Sequence, residues 1–282
     1  MPFTTLVSTA EVVAHLDDPD WVIFDCRFTL TDATVGRKAY DDGHIPGAIY
    51  AHLDDDLAAP VHATSGRHPL PDVDVLSAKL GEWGVGENTQ VVVYDDAFGA
   101  MACRMWWLLR WLGHDRVALL DGVYPKWCRE KRPTDKTPAK PMARKFVANV
   151  QAELVVDADF VFTHLENDSG PLIDARPDVR FSGEVEPIDK VAGHIPGASN
   201  RPFDDNLNLG GDFLPIAELK EEFSPFLTIK DPAQIIHMCG SGVTACHNIL
   251  AMEHIGIKGT KLYAGSWSQW ITDPNRKTAV GE

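Results

Sequence analysis

One segment of the 282-residue chain combines residue types that can do sulfur chemistry: His237-Met238-Cys239-Gly240-Ser241-Gly242-Val243-Thr244-Ala245. A cysteine closes the apolar run at 235–238, and a glycine-containing turn then leads into a segment of helical character at 243–254. Glycines let a backbone curl until successive N–H groups point inward, and a helix adds the positive end of its dipole. Both favour a thiolate over a thiol, and the thiolate is the nucleophilic form. They would equally favour a persulfide anion on the same sulfur. The loop Gly240, Ser241, Gly242, Val243 and Thr244 is therefore expected to surround a reactive Cys239. The ordinary fate of a free cysteine is core packing, and that reading suits Cys246, which is expected inside the helix. Cys26 and Cys128 have no comparable context.

The elements that must position Cys239 occur twice. Asp25-Cys26-Arg27 after Val22-Ile23-Phe24 matches Asp174-Ala175-Arg176 after Leu172-Ile173, 149 residues on. Gly43-His44-Ile45-Pro46-Gly47-Ala48 matches Gly193-His194-Ile195-Pro196-Gly197-Ala198, 150 residues on. Val91-Val92-Val93-Tyr94 pairs with Gln234-Ile235-Ile236-His237, Ala102-Cys103 with Ala245-Cys246, and Gly122 and Trp127 with Gly265 and Trp270, each 143 apart. Ordered landmarks of this kind indicate a duplicated domain. Between the copies, the proline-rich and charged stretch from Lys131 to Pro141 discourages helix and sheet. We expect domains at 1–130 and 146–282, joined by a linker at 131–145. Short apolar runs at 21–24 and 235–238 alternate with helical segments such as 101–112, which predicts an α/β fold with a parallel sheet flanked by helices in each copy. Ligands of such sheets sit at the carboxyl ends of strands, where Cys239 lies.

The duplication also separates structure from chemistry. His44 and His194 recur in the same turn and are expected to hold it together. Arg27 and Arg176 recur as well, so a structural ion pair with Asp25 or Asp174 is expected of them. Cys103 stands opposite Cys246, which favours packing for both. The 143-residue register puts Asp96 opposite Cys239 and Phe98 opposite Ser241, so the first copy has no nucleophile.

Composition narrows the classes of function. A hydrophobic content of 44% is ordinary for buried cores, and no apolar run approaches the ~20 residues of a membrane helix. The N-terminus lacks a basic segment followed by an apolar signal core, which predicts a cytoplasmic protein. Five irregularly spaced cysteines without a CxxC pair argue against disulfides and structural zinc. No HExxH is present, and Gly84-Val85-Gly86-Glu87-Asn88 lacks the third glycine of a dinucleotide fingerprint, so neither metal nor cofactor is expected. A formal charge of -15 disfavours nucleic acid and anionic lipid as partners, and attraction for an anionic substrate must be local.

Cys239-Gly240-Ser241-Gly242-Val243-Thr244-Ala245, both Gly-His-Ile-Pro-Gly-Ala motifs, the Asp-x-Arg strand ends and Gly265-Ser266-Trp267-Ser268-Gln269-Trp270 together resemble the tandem-domain rhodanese superfamily, its 3-mercaptopyruvate and thiosulfate sulfurtransferases in particular. The resemblance covers essentially the whole chain. It implies two rhodanese-like domains, a catalytically inactive first domain and a site in a cleft between the two. It also implies sulfur transfer through a Cys239 persulfide to a thiophilic acceptor, cyanide or a thiol such as thioredoxin's. Arg180, in Arg180-Phe181-Ser182-Gly183-Glu184, matches the family's substrate-binding arginine. Ser241 is placed to pass a proton to the developing enolate.

Thiosulfate-preferring relatives carry basic side chains directly after the cysteine. The neutral Gly240-Ser241 therefore favours mercaptopyruvate. Two departures bear on this choice. Glu186-Pro187 is followed by Ile188-Asp189 where relatives often have a second arginine. Some relatives place an acid beside the serine, in the segment that here reads Gly66-Arg67-His68-Pro69-Leu70-Pro71. Arg67 at that point would break such a relay and attract thiosulfate, with His68 as a further substrate contact. A related phosphatase would need an arginine where Ala245 follows Thr244, which makes that reading poor. A non-catalytic sulfur carrier or docking module remains the alternative.

Overall fold

The computed structural model describes residues 1–227, 229 and 231–281. The chain folds into two compact units, each with its own core. One comprises 1–59, 71–151 and 209–213; the other comprises 60–70, 152–208 and 214–282. Neither unit respects a single cut in the sequence. The segment 60–70, which carries Arg67 and His68, belongs to the second unit. The segment expected as a linker lies along the first, where Trp127 donates its indole N–H to the Pro133 carbonyl (2.7 Å) and the Arg144 amide bonds to Gly81 (2.8 Å).

In the first unit the elements run β1 (Leu6–Val7), α1 (Thr9–Ala14), β2 (Trp21–Asp25), α2 (Thr34–Asp42), β3 (Ile49–Tyr50), α3 (Val73–Glu82), β4 (Gln90–Tyr94), α4 (Ala102–Trp111), β5 (Val117–Leu120) and α5 (Val123–Arg129). The second unit repeats them as β6 (Val155–Val156), α6 (Ala158–Glu166), β7 (Leu172–Asp174), α7 (Asp178–Phe181), β8 (Ala198–Asn200), α8 (Ile216–Phe223), β9 (Ile236–Met238), α9 (Ala245–His254), β10 (Lys261–Tyr263) and α10 (Ser266–Trp270). Both sheets are parallel and five-stranded, ordered β1-β5-β4-β2-β3 and β6-β10-β9-β7-β8. This is the α/β architecture that the alternating runs predict.

Local chemistry explains the helix starts and the burial. Ser8, Asp72 and Asp157 each accept an amide of the first turn of the helix they precede, which removes an orphan donor. α4 buries all but one of its residues, which is why its sequence is apolar on nearly every side. Ile23, Val92, Tyr94 and Trp127 build the first core, and Ile236, Met238, Tyr263, Trp267 and Trp270 the second. Each large apolar side chain contributes about 1.5–3 kcal/mol on burial.

The recurrent motifs brace each sheet in the same way. Arg27 clamps Asp25 through Nε and Nη2 and donates to the Gly43 carbonyl; Arg176 does the same with Asp174 and Gly193. His44 stacks on Tyr40 and bonds its carbonyl, as His194 does with Phe181. These four side chains hold the Gly-His-Ile-Pro-Gly turn against the strand end, as expected of residues present in both copies.

Candidate active site

The central strand β9 ends at Met238, and Cys239 begins the turn towards α9. The first turn of α10 fixes this bend. The Cys239 N–H donates to Ser266 Oγ (3.1 Å), its carbonyl accepts from the Trp267 N–H (3.1 Å), and the Gly240 carbonyl accepts from the Ser268 N–H (2.9 Å). Gly242 takes a positive φ of 73° with the Ala264 carbonyl packed where a Cβ would stand, so a side chain cannot be placed there without moving the loop. Cys239 is 2% exposed.

The first unit shows what this loop geometry can hold. Tyr94 pairs with Asp25 across β2 and β4 as Met238 pairs with Asp174 across β7 and β9. The Tyr124 N–H meets the Asp95 carbonyl as the Trp267 N–H meets that of Cys239. Asp95, rather than Asp96, is therefore the counterpart of Cys239. The 143-residue register read from strands and helices alike holds for the helices but is off by one at the strand, where Tyr94 matches Met238 rather than His237, because seven residues link β4 to α4 and only six link β9 to α9. Asp95 is fully buried, and its carboxylate accepts amide N–H groups from Ala97 (2.9 Å), Gly99 (2.8 Å), Met101 (2.8 Å) and Ala102 (2.8 Å). A curled loop of this topology is an anion nest, and in the first unit it is filled by the chain's own carboxylate. Burial, followed by the nearby Asp25, Asp95 and Asp56, pushes the Cys26 thiol well up, so that cysteine is disarmed.

Around Cys239 the second unit assembles side chains from distant segments. The Ser241 hydroxyl and His68 Nδ1 are 2.7 Å apart, both groups buried, which makes His68 a partner of the serine. Arg67 donates its amide to Ser268 Oγ (3.1 Å) and pairs its guanidinium with Asp189. Arg180 forks onto Glu186 (2.8–3.2 Å) and reaches Asp189 with Nη2 (3.1 Å). A methyl group added to Gly240 would lie 2.7 Å from Arg67 Nη2 and 3.5 Å from Arg180 Nη1, so the two guanidiniums converge on the residue after the cysteine.

Glu186 also accepts the amides of Ile188 and Asp189 (both 3.0 Å) and faces Arg176 Nη1 at 3.5 Å. Burial acts against its ionisation, but the bonds from Arg180 and these two amides hold its carboxyl below the usual range. Burial pushes Asp189 above that range in spite of its two arginines. Cys246 is buried in α9 with its thiol 3.4 Å from the Gly242 carbonyl, and Cys103 is its buried counterpart.

Arg67, His68, Arg180, Ser241 and the loop 240–244 are thus gathered in one unit with Cys239. The acids that hold the arginines are not apparent from local sequence. Asp189 lies 122 residues from Arg67, and only the Ile188-Asp189 departure after Glu186-Pro187 marks it.

The rhodanese-like domain family model matches residues 8–130 and again 158–273. The chain is 45% identical over 284 residues to a Pseudomonas aeruginosa protein named "Probable 3-mercaptopyruvate sulfurtransferase", covering 100% of both chains. It is 33% identical to the 3-mercaptopyruvate sulfurtransferase of Escherichia coli, covering 96% of each. Among solved structures, SseA from Escherichia coli, described as a 3-mercaptopyruvate sulfotransferase with the rhodanese fold, superposes with a TM-score of 0.81 at 31% identity, covering 94% of this chain and 100% of that one.

Proposed function

Given that the chain belongs to the rhodanese-like family and is a sulfurtransferase, we propose that it takes sulfur from 3-mercaptopyruvate onto Cys239 and delivers it to a thiol or cyanide. The observation that carries this reading is the anion nest of the twin loop. Where the first unit seats the Asp95 carboxylate on four amides, the corresponding turn of the second, shorter by one residue, begins at Cys239 and would receive a sulfur anion in the same manner.

In the first half-reaction the Cys239 thiolate attacks the donor sulfur. An S–S bond forms, the donor's C–S bond breaks, and its electron pair passes to carbon as the enolate of pyruvate. Arg180 binds the donor carboxylate as a fork, with Arg67 beside it. The proton of the donor thiol ends on the enolate carbon, relayed by Ser241 with His68 as its partner at 2.7 Å. Loop amides of Gly240 to Thr244 offset the charge of the resulting persulfide. In the second half-reaction an acceptor thiolate attacks the outer sulfur and leaves with it as a persulfide, restoring the Cys239 thiolate. Cyanide leaves as thiocyanate.

The first unit, with Asp95 in place of the nucleophile, is catalytically inactive. The remaining expectations belong to the same reading. A cytoplasmic setting suits five cysteines none of which forms a disulfide, and thioredoxin is a fitting thiol acceptor. Among the described residues no helix is long and apolar enough to cross a membrane.

Steady-state kinetics with 3-mercaptopyruvate and a thiol acceptor test the scheme. A persulfide enzyme gives the parallel double-reciprocal lines of a ping-pong reaction, and Cys239→Ser abolishes pyruvate release. Intersecting lines, or pyruvate release surviving in Cys239→Ser, contradict it.

A further inference from the structure

The charges beside Gly240 form a closed set. Three guanidiniums, of Arg67, Arg176 and Arg180, meet three carboxylates, of Asp174, Glu186 and Asp189. Arg176 is held by Asp174, and Glu186 takes the outer fork of Arg180. Asp189 bridges the remaining two, accepting from Arg67 with one oxygen and from Arg180 with the other. Its side chain is 5% exposed, so its charge acts on its neighbours with little screening by water.

Arg67 Nη2, the nitrogen nearest Gly240, is not the one bonded to Asp189, whereas Arg180 approaches with both Nη1 and the Nη2 that bonds Asp189 and Glu186, 3.5 and 3.6 Å from a methyl group added at Gly240. Arg67 Nε is buried and, among the described residues, has no hydrogen-bond partner. Both guanidiniums therefore lie against the residue after the cysteine while Asp189 bonds each of them.

We propose that Asp189 is the donor-selecting residue of this site: together with Glu186 on Arg180 it balances the two guanidiniums facing Gly240, which holds down the extra attraction that a dianionic donor such as thiosulfate would otherwise have over a singly charged one. The inference rests on the sulfurtransferase reading above and adds a role for a residue outside the cysteine loop. Arg67 is its necessary complement, because it supplies the second guanidinium from the 60–70 segment where the stretch after Glu186-Pro187 has none. Removing the Asp189 charge leaves one guanidinium charge of the set uncompensated, and the added attraction is greater for a double charge than for a single one.

The test compares kcat/KM for thiosulfate and for 3-mercaptopyruvate in the parent, Asp189→Asn, and the double variant Arg67→Met with Asp189→Asn. Intact mass of each protein after exposure to each donor is followed in parallel. In Asp189→Asn the thiosulfate-to-mercaptopyruvate ratio is expected to rise about tenfold or more, and in the double variant the gain is lost. A ratio that stays within about threefold of the parent, or a gain that survives loss of Arg67, overturns the proposal. If the parent itself gains sulfur from neither donor, the sulfurtransferase scheme fails. If the parent and Asp189→Asn both gain sulfur at an unchanged ratio, only the role of Asp189 fails.

Discussion

In the proposed scheme Cys239 and Ser241, two residues apart, have different duties, and their neighbours differ accordingly. The sulfur begins a turn pinned through its backbone by Ser266, Trp267 and Ser268, whereas the Ser241 hydroxyl faces His68 at 2.7 Å. Ser241→Ala is therefore expected to slow pyruvate release from 3-mercaptopyruvate by about 100-fold. Sulfur uptake from thiosulfate should change by less than about threefold, because departing sulfite needs no proton on carbon. Single-turnover measurements with both donors check this, and an equal loss with both would assign Ser241 to the loop's structure instead. Cys239 is legible in the sequence because its signal is local: a strand end, two glycines and a helix within nine residues. The His68 partnership spans 173 residues and the Arg67–Asp189 pair 122, and no local pattern encodes contacts made by folding a distant segment onto a strand end.

At the scale of elements, the duplicated strand, turn and helix make the chain its own control. The order of landmarks is enough to predict two parallel sheets, since apolar runs and helical segments alternate in both halves. The exact pairing of Cys239 with its counterpart is not legible, because the first loop is longer by one residue and sequence alone does not say whether strand or helix keeps register. Hydrogen bonds decide for Asp95. Asp95→Ala would leave four inward amides without their acceptor, at a cost on the order of 3 kcal/mol. Urea unfolding followed by hydrogen exchange in α4 should show the first unit opening at lower denaturant. An unchanged midpoint would mean that the nest is satisfied in another way.

Across the whole molecule, a net charge of -15 opposes anionic donors, so in the proposed scheme the attraction for them comes from the local arginines rather than from the overall field. The same fold pays an acid penalty at His237, in β9 two residues before Cys239. Its ring is fully buried, and neither nitrogen has a partner among the described residues. Burial, with Arg201 nearby, lowers its pKa to about 3. The unfolded chain binds that proton near pH 6.5, so between about pH 6.5 and 3 unfolding is favoured as pH falls. His237→Leu should remove this contribution, leaving stability at pH 7 about unchanged or improved and flattening the loss measured by urea unfolding at pH 7, 5.5 and 4.5. An unaltered pH slope would mean that His237 takes up its proton in the folded state as readily as in the unfolded chain. The central claim, that sulfur travels on Cys239, is tested most directly by intact mass after brief exposure to 3-mercaptopyruvate without acceptor, followed by peptide mapping. The account expects the mass of one sulfur atom to be gained on the Cys239 peptide and none in Cys239→Ser. Sulfur found on another cysteine, or pyruvate released with no sulfur retained, would contradict it.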